Sequence, residues 1–264
     1  MKHQPAFRAA RPSAAFTLME ILVVVSIILV LAAIALPVYS TVMNRAHKIV
    51  ALSNMKQITT ALVSYAGQND GDFPDENIPL GSTWVNAADP EKGAKVWYNS
   101  LPRLMGGKGV GDFGNSVAGL TSYYSRENIL FLPGAQYPAP ATRLGKPYFA
   151  YAINTKLQRK TDKKSIATKN KAKMSQITRP SRTVAFLEVG IKGEHPALAI
   201  MGPNVYDDSD PKASGKSFVT RYGGRGVVTF IDGHAEELEI KQVLNPTGVI
   251  KEPPDTDILW SPEP

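Results

Sequence analysis

The chain of 264 residues contains no cysteine. That excludes a disulfide framework, a thiol nucleophile and any cysteine-ligated metal site. It has only four histidines, and their spacing matches no metal-ligand pattern. No G-x-S-x-G elbow, no H-E-x-x-H pair and no G-x-x-x-x-G-K-[ST] loop occurs, so the common local signatures of esterases, zinc peptidases and nucleotide hydrolases are missing. No cofactor is called for. Acid is absent from residues 1–15, which carry Lys2, Arg8 and Arg11, and charge of either sign is absent from Ile21 through Asn44.

Those gaps frame what is present. Lysine and arginine number 30 against 23 acids, a net of +7; without the first 15 residues the balance is 27 against 23. An excess that small does not point to nucleic acid as a partner. Gly and Pro number 21 and 20 and concentrate after residue 67, which predicts a loop-rich C-terminal domain.

The uncharged run is long enough to cross a bilayer as a helix. A secretory signal peptide is one reading, with Ala33-Ile34-Ala35 as a small-x-small cleavage site. A plain membrane anchor is another. Neither explains Glu20, a carboxylate at the mouth of the apolar run, where a charge is costly in lipid.

The string Ala15-Phe16-Thr17-Leu18-Met19-Glu20, followed by an apolar helix, resembles the N-terminus of type IV pilins and type II secretion pseudopilins. The resemblance implies cleavage by a prepilin peptidase between Ala15 and Phe16 and N-methylation of Phe16. Ala15 stands where the family usually has Gly. Glu20 becomes the fifth residue of the mature chain and Pro37 the twenty-second, both familiar places. Cleavage of this kind creates a cationic amine on Phe16. A lone carboxylate or ammonium in a packed bundle is strongly disfavoured. Glu20 of one subunit pairing with the amine of an axially shifted neighbour sets register, as a buried polar residue does in a coiled coil. Pro37 removes one backbone hydrogen bond, either as a tolerated bend or as a point where the helix stretches.

Beyond Met43 the pattern turns amphipathic. Leu52, Met55, Ile58, Leu62 and Tyr65 recur at spacings of three and four, and Gly67, Asn69-Asp70-Gly71-Asp72 and Pro74 form a stop. The spacing predicts a helix over 16–66, roughly 75 Å long. The Asn69–Asp72 cluster lacks the full EF-hand spacing and reads as a helix-ending turn rather than a calcium loop.

Residues 67–125 read as a long, partly ordered connection with a helical turn around Tyr98 to Met105. Strands are expected at Tyr148 to Leu157, Thr183 to Ile191 and Ala197 to Met201, with a hairpin from Gly226 to Ile240 turning at Asp232-Gly233. The long helix is the natural cover for one sheet face. The stretch Arg221-Tyr222-Gly223-Gly224 through Asp232-Gly233-His234 resembles a motif of a bacterial group of pilin-like proteins. That group has His where Tyr222 stands and Cys-Pro near Phe131-Leu132-Pro133. Asp232, His234, Glu236 and Glu237 lie close in sequence, but no nucleophile with a base and an orienting third group can be assembled from pattern alone. The run from Arg159 to Lys173 holds seven basic residues and one acid, Asp162; it reads as a solvated loop, with binding of an anionic partner as the sharper alternative. The Pro-rich acidic tail, 246–264, is expected to wrap the surface or stay disordered, with Trp260 as anchor.

The expected fold class is α+β: leader 1–15, helix 16–66, connection 67–125, head 126–245 built on a small antiparallel sheet, and tail. The resemblance implies a structural subunit rather than an enzyme. It implies storage in the bacterial inner membrane with the head outside the cytoplasm, then polymerisation with other pilin-like subunits by a membrane assembly platform and a cytoplasmic ATPase. A periplasmic secretion filament is the first expectation, a surface fibre the second, and an anchored hydrolase or binding domain the third.

Overall fold

The computed structural model describes residues 17–78, 81–160, 169–191, 194 and 210–261. It divides into two compact units, Met1–Met43 and Asn44–Pro264. One helix, α1 (Leu18–Gln68), runs through the division. The leader, Ala15 and Phe16 lie outside the described residues, as does the strand expected at Ala197 to Met201.

In the first unit, every described side chain from Thr17 to Val42 is exposed. An 18-residue window reaches a mean hydropathy of 3.2 with none of it buried, so this helix is long and apolar enough to cross a membrane. The helix continues through Pro37 without interruption.

In the second unit, α1 buries one stripe. Ala51, Met55, Ile58, Thr59, Ala61, Leu62 and Ala66 are enclosed, while Leu52 and Tyr65 pack at its margins. Each large apolar side chain there contributes on the order of 1.5–3 kcal/mol by leaving water. The helix ends in a Schellman-type turn: Asp70 and Gly71 take φ of 53° and 82°, and Gly71 N donates to Ala66 O at 2.9 Å. The Asn69–Asp72 cluster is thus a helix stop.

Residues 73–145 are built from short helices, the expected turn around Tyr98 to Met105 among them. They form α2 (Trp84–Ala88), α3 (Trp97–Leu104), α4 (Val117–Tyr123) and α5 (Pro140–Arg143). Thr83 and Ser116 cap α2 and α4 through side-chain oxygens that accept from Asn86 N and Gly119 N. The buried Asn99 donates to Ala87 O and Gly93 O and accepts from Gly111 N, tying α3 to the end of α2, the loop after it and the turn at 110–112. Gly111 is glycine of necessity, because a Cβ there would stand 2.3 Å from Ala87 O. Helices of four to eight residues show no sustained period, which is why only one of them had a place in the sequence pattern.

The sheet has five strands in the order β5-β1-β4-β6-β7: β1 (Tyr151–Asn154), β4 (Val184–Glu188), β5 (Lys212–Ala213), β6 (Arg225–Phe230) and β7 (Ala235–Glu239). It is mixed rather than antiparallel. The two-residue β5 joins β1 in parallel, Ile153 opposite Lys212 and Asn154 opposite Ala213. β2 (Gln158–Lys160) and β3 (Lys169–Lys171) form a separate antiparallel ribbon, so both ends of the basic run are strands; residues 161–168 lie outside the described residues.

Both sheet faces are covered. Tyr151, Ile153, Phe186 and Val227 pack with α1 and an aromatic cluster around Trp97, Tyr98 and Phe149. Ala152, Leu187, Val228 and Phe230 face a second core closed by Val243, Leu244, Ile258 and Trp260. Most of the described tail is exposed, but Ile258, Leu259 and Trp260 are buried: Trp260, only 2 % exposed, anchors it as expected, and Leu259 is bridged to Thr183. α1 is tied to the sheet by hydroxyls: Thr59 Oγ1 lies 2.7 Å from both Met55 O and Thr229 Oγ1. Thr229 Oγ1 also accepts from Phe186 N at the irregularity in β4.

Candidate functional site

The expected assembly residues lie at the start of α1. Thr17 N donates to Glu20 Oε2 at 2.8 Å, and Glu20 N donates to Thr17 Oγ1 at 3.2 Å. The Thr17 hydroxyl adds a third contact to Glu20 Oε2 at 2.9 Å. This is a reciprocal capping box. The single chain thus gives Glu20 a local partner and does not leave the carboxylate stranded. Thr17-Leu18-Met19-Glu20 carries the T-x-x-E signature of such a box in the sequence itself.

The Asp232-Gly233-His234 motif occupies the turn between β6 and β7. Only Gly233 takes positive φ, at 92°, and its N–H donates to Phe230 O at 2.9 Å. The turn is therefore the longer kind closed by a glycine bulge, rather than a two-residue turn that needs positive φ at both centres. Asp232 Oδ1 accepts from His234 N at 3.1 Å and lies 2.5 Å from His234 Nδ1. The imidazole stacks flat on Phe230, with centroids 4.4 Å apart, and its Nε2 lies 3.3 Å from Glu236. His234 also lines a groove of about 760 Å³ with Ser181, Arg182 and Lys241. Its hydrogen-bond partners among the described residues are carboxylates, with no hydroxyl between them that a base could activate. No group of three or more metal-ligating side chains occurs among the described residues.

A buried ionic cluster stands behind the sheet. Arg221 grips Glu194 with two nitrogens at 2.7 and 3.1 Å and reaches Glu188 at 3.4 Å, with all three side chains at most 1 % exposed. Glu188 also accepts from Tyr222 OH at 3.0 Å and Val227 N at 2.9 Å, and Glu194 from Gln136 N and Ile191 N. Burial pushes the Glu188 carboxyl up to about 6, against the opposing pull of Arg221. Burial and the adjacent Glu188 carboxylate drive the Tyr222 phenol well above its ordinary value, which keeps it a donor. Tyr222, where the resembled group has His, thus serves the cluster as a hydrogen-bond donor. These partners are spread over residues 136–227, and no sequence pattern links them. The cluster is a clamp on β4, β6 and their loops, because removing one partner would strand a buried charge.

Comparison with known proteins finds no matching family model, characterised protein or solved structure.

Proposed function

We propose that the chain is a type IV pilin-like structural subunit, nearest in character to a type II secretion pseudopilin. In this reading it is held in a membrane by α1 before cleavage at Ala15–Phe16 and polymerises through the same helix. One observation carries the reading: a single helix has an uncovered first half, uncharged beyond Glu20, and a second half that is the spine of a closed α+β head. An apolar surface of that length needs lipid or neighbouring helices as solvent. Glu20, at its start, is placed to exchange its bonds with Thr17 for a neighbour's Phe16 ammonium when subunits pack. The Asp232-Gly233-His234 turn and the Arg221 clamp support the head.

Mass spectrometry of the chain from producing cells tests processing. The expected N-terminus is methylated Phe16; a chain beginning near residue 36 and free in solution overturns the reading. Glu20→Ala is expected to insert in membranes normally and to be depleted from filaments. Removing one partner of a buried pair costs on the order of 3–5 kcal/mol per subunit. Loss of secretion on deletion assigns the filament to export, and surface fibres by electron microscopy assign it to a pilus.

A further inference from the structure

We propose that the cleft between α4 and α5 binds a medium-chain alkyl carboxylate, its head on Arg143 and its tail between the two helices. The cleft lies wholly within the second unit, so the inference is independent of how α1 meets a membrane.

The cleft follows from spacing. Val117, Leu120, Thr121 and Tyr124 recur at intervals of three, one and three, which sets them on one side of α4 and its C-terminal cap. Pro140 and Leu144, from α5 and the residue after it, stand across a space of about 440 Å³. Ligand sites occupy about 300–1,000 Å³. α2 steadies α5, with Trp84 Nε1 donating to Arg143 O at 2.8 Å. The mouth is apolar: Val117 is 79 % exposed and Leu144 46 %.

Arg143 is the one charged side chain among the described residues that line this space. It is half-buried, with its guanidinium carbon 4.4 Å from the centre of the Tyr124 ring. Its Nε donates to Pro138 O and its Nη2 to Tyr137 O, the latter at 3.3 Å. Those carbonyls fix the group in place but do not neutralise it. Among the described residues Nη1 has no acceptor and the guanidinium has no carboxylate partner. A braced cation with only neutral partners is a preorganised seat for an anion.

The rest of the lining selects the tail. Thr121 Oγ1 already donates to Val117 O at 2.9 Å, and Tyr124 OH accepts from Tyr148 N at 3.2 Å. A peptide laid in the cleft would leave amides short of partners, a cost that an alkyl chain does not incur. One guanidinium matches the two oxygens of one carboxylate.

The test uses the full chain in lipid nanodiscs. Octanoate is added while NMR follows the methyl groups of Val117, Leu120 and Leu144. Ile28, in the first unit, reports octanoate that merely enters the lipid. Saturable shifts are expected at the three head residues. Hexanoate should bind about 15-fold more weakly, and octanol, which keeps the tail without the charge, at least about ten-fold more weakly. Arg143→Gln should weaken octanoate by at least about ten-fold. Arg143 also braces α5, so Val117→Asp is the second variant: the site is exposed, and the added carboxylate should abolish binding while tryptophan fluorescence shows the head still folded. Octanol or acetyl-Val-Leu binding as tightly as octanoate overturns the proposal. So does unchanged binding by Val117→Asp or by folded Arg143→Gln, and so do shifts at Ile28 with none at the head.

Discussion

The two halves of α1 are both rich in apolar residues, yet they end in opposite conditions. From Leu18 to Val42 every described side chain is exposed, including Ile28 at 57 %. From Asn44 to Gln68 a stripe containing Ile58 is fully enclosed, and Lys56, Gln57 and Thr60 stay outside. The difference is one of pattern more than of hydrophobicity. Apolar residues all round the first half leave no polar side to face water. Apolar residues at spacings of three and four in the second half give the sheet a single stripe to cover. The change of pattern comes where Arg45, His47 and Lys48 first interrupt the uncharged run.

The largest effect should come from the same truncation made in each half. Ile58→Ala removes packing inside the core and is expected to cost about 2–5 kcal/mol of head stability. Ile28→Ala is expected to cost the head nothing. All three tryptophans, Trp84, Trp97 and Trp260, are buried in the second unit, so their fluorescence during denaturation in detergent reports the head alone. Equal loss from the two substitutions would abolish the distinction between the halves.

How much of this contrast was legible beforehand depended on whether the signal was local. The apolar run, the Leu52-Met55-Ile58-Leu62 stripe and the Gly226 to Ile240 hairpin announce themselves by period and turn dipeptides, and all three appear as elements. The lysine-rich strands did not: β2 and β3 contain no alternation of apolar and polar residues, and only their backbone ladder makes them strands. β5 has two residues, too few for any period, which is why the parallel pairing and the mixed sheet came as corrections. In the tail, Trp260 stood out as an anchor and is one, while the surrounding prolines and acids masked Ile258, which joins it in the second core. At the helix start the signal was present but outweighed, since Thr17 satisfies Glu20 within the chain.

A smaller effect sharpens the picture of the head as a closed unit, in contrast to the open first half. The Glu188 carboxyl is buried and pushed up to about 6. An acid whose folded value lies above its unfolded value binds its proton more tightly when folded. Its contribution is therefore present at low pH and is lost as pH rises from about 4.5 through 6. The shift corresponds to about 2 kcal/mol. Denaturation curves between pH 4.5 and 7 should show stability falling by that amount from this group, and Glu188→Gln should remove that part of the slope. An unchanged slope in the variant would mean that the clamp keeps Glu188 ionised throughout.

The smallest expected effect tests the open end of the helix. Thr17→Ala deletes the capping hydroxyl and is expected to cost about 1 kcal/mol of local helix stability. Amide exchange at Leu18 to Ile21 should then run about five-fold faster, with head unfolding unchanged. The same variant separates two duties of Glu20. If the carboxylate serves a neighbour's terminal amine, Thr17→Ala assembles nearly as well as wild type, because it removes the hydroxyl's contacts and keeps the carboxylate, whereas Glu20→Ala fails. If Glu20 matters only as the partner in the capping box, both variants fray the helix and both assemble alike. Equal filament yields from Thr17→Ala and Glu20→Ala would therefore return Glu20 to local helix chemistry and leave the uncovered apolar surface as the sole driver of assembly.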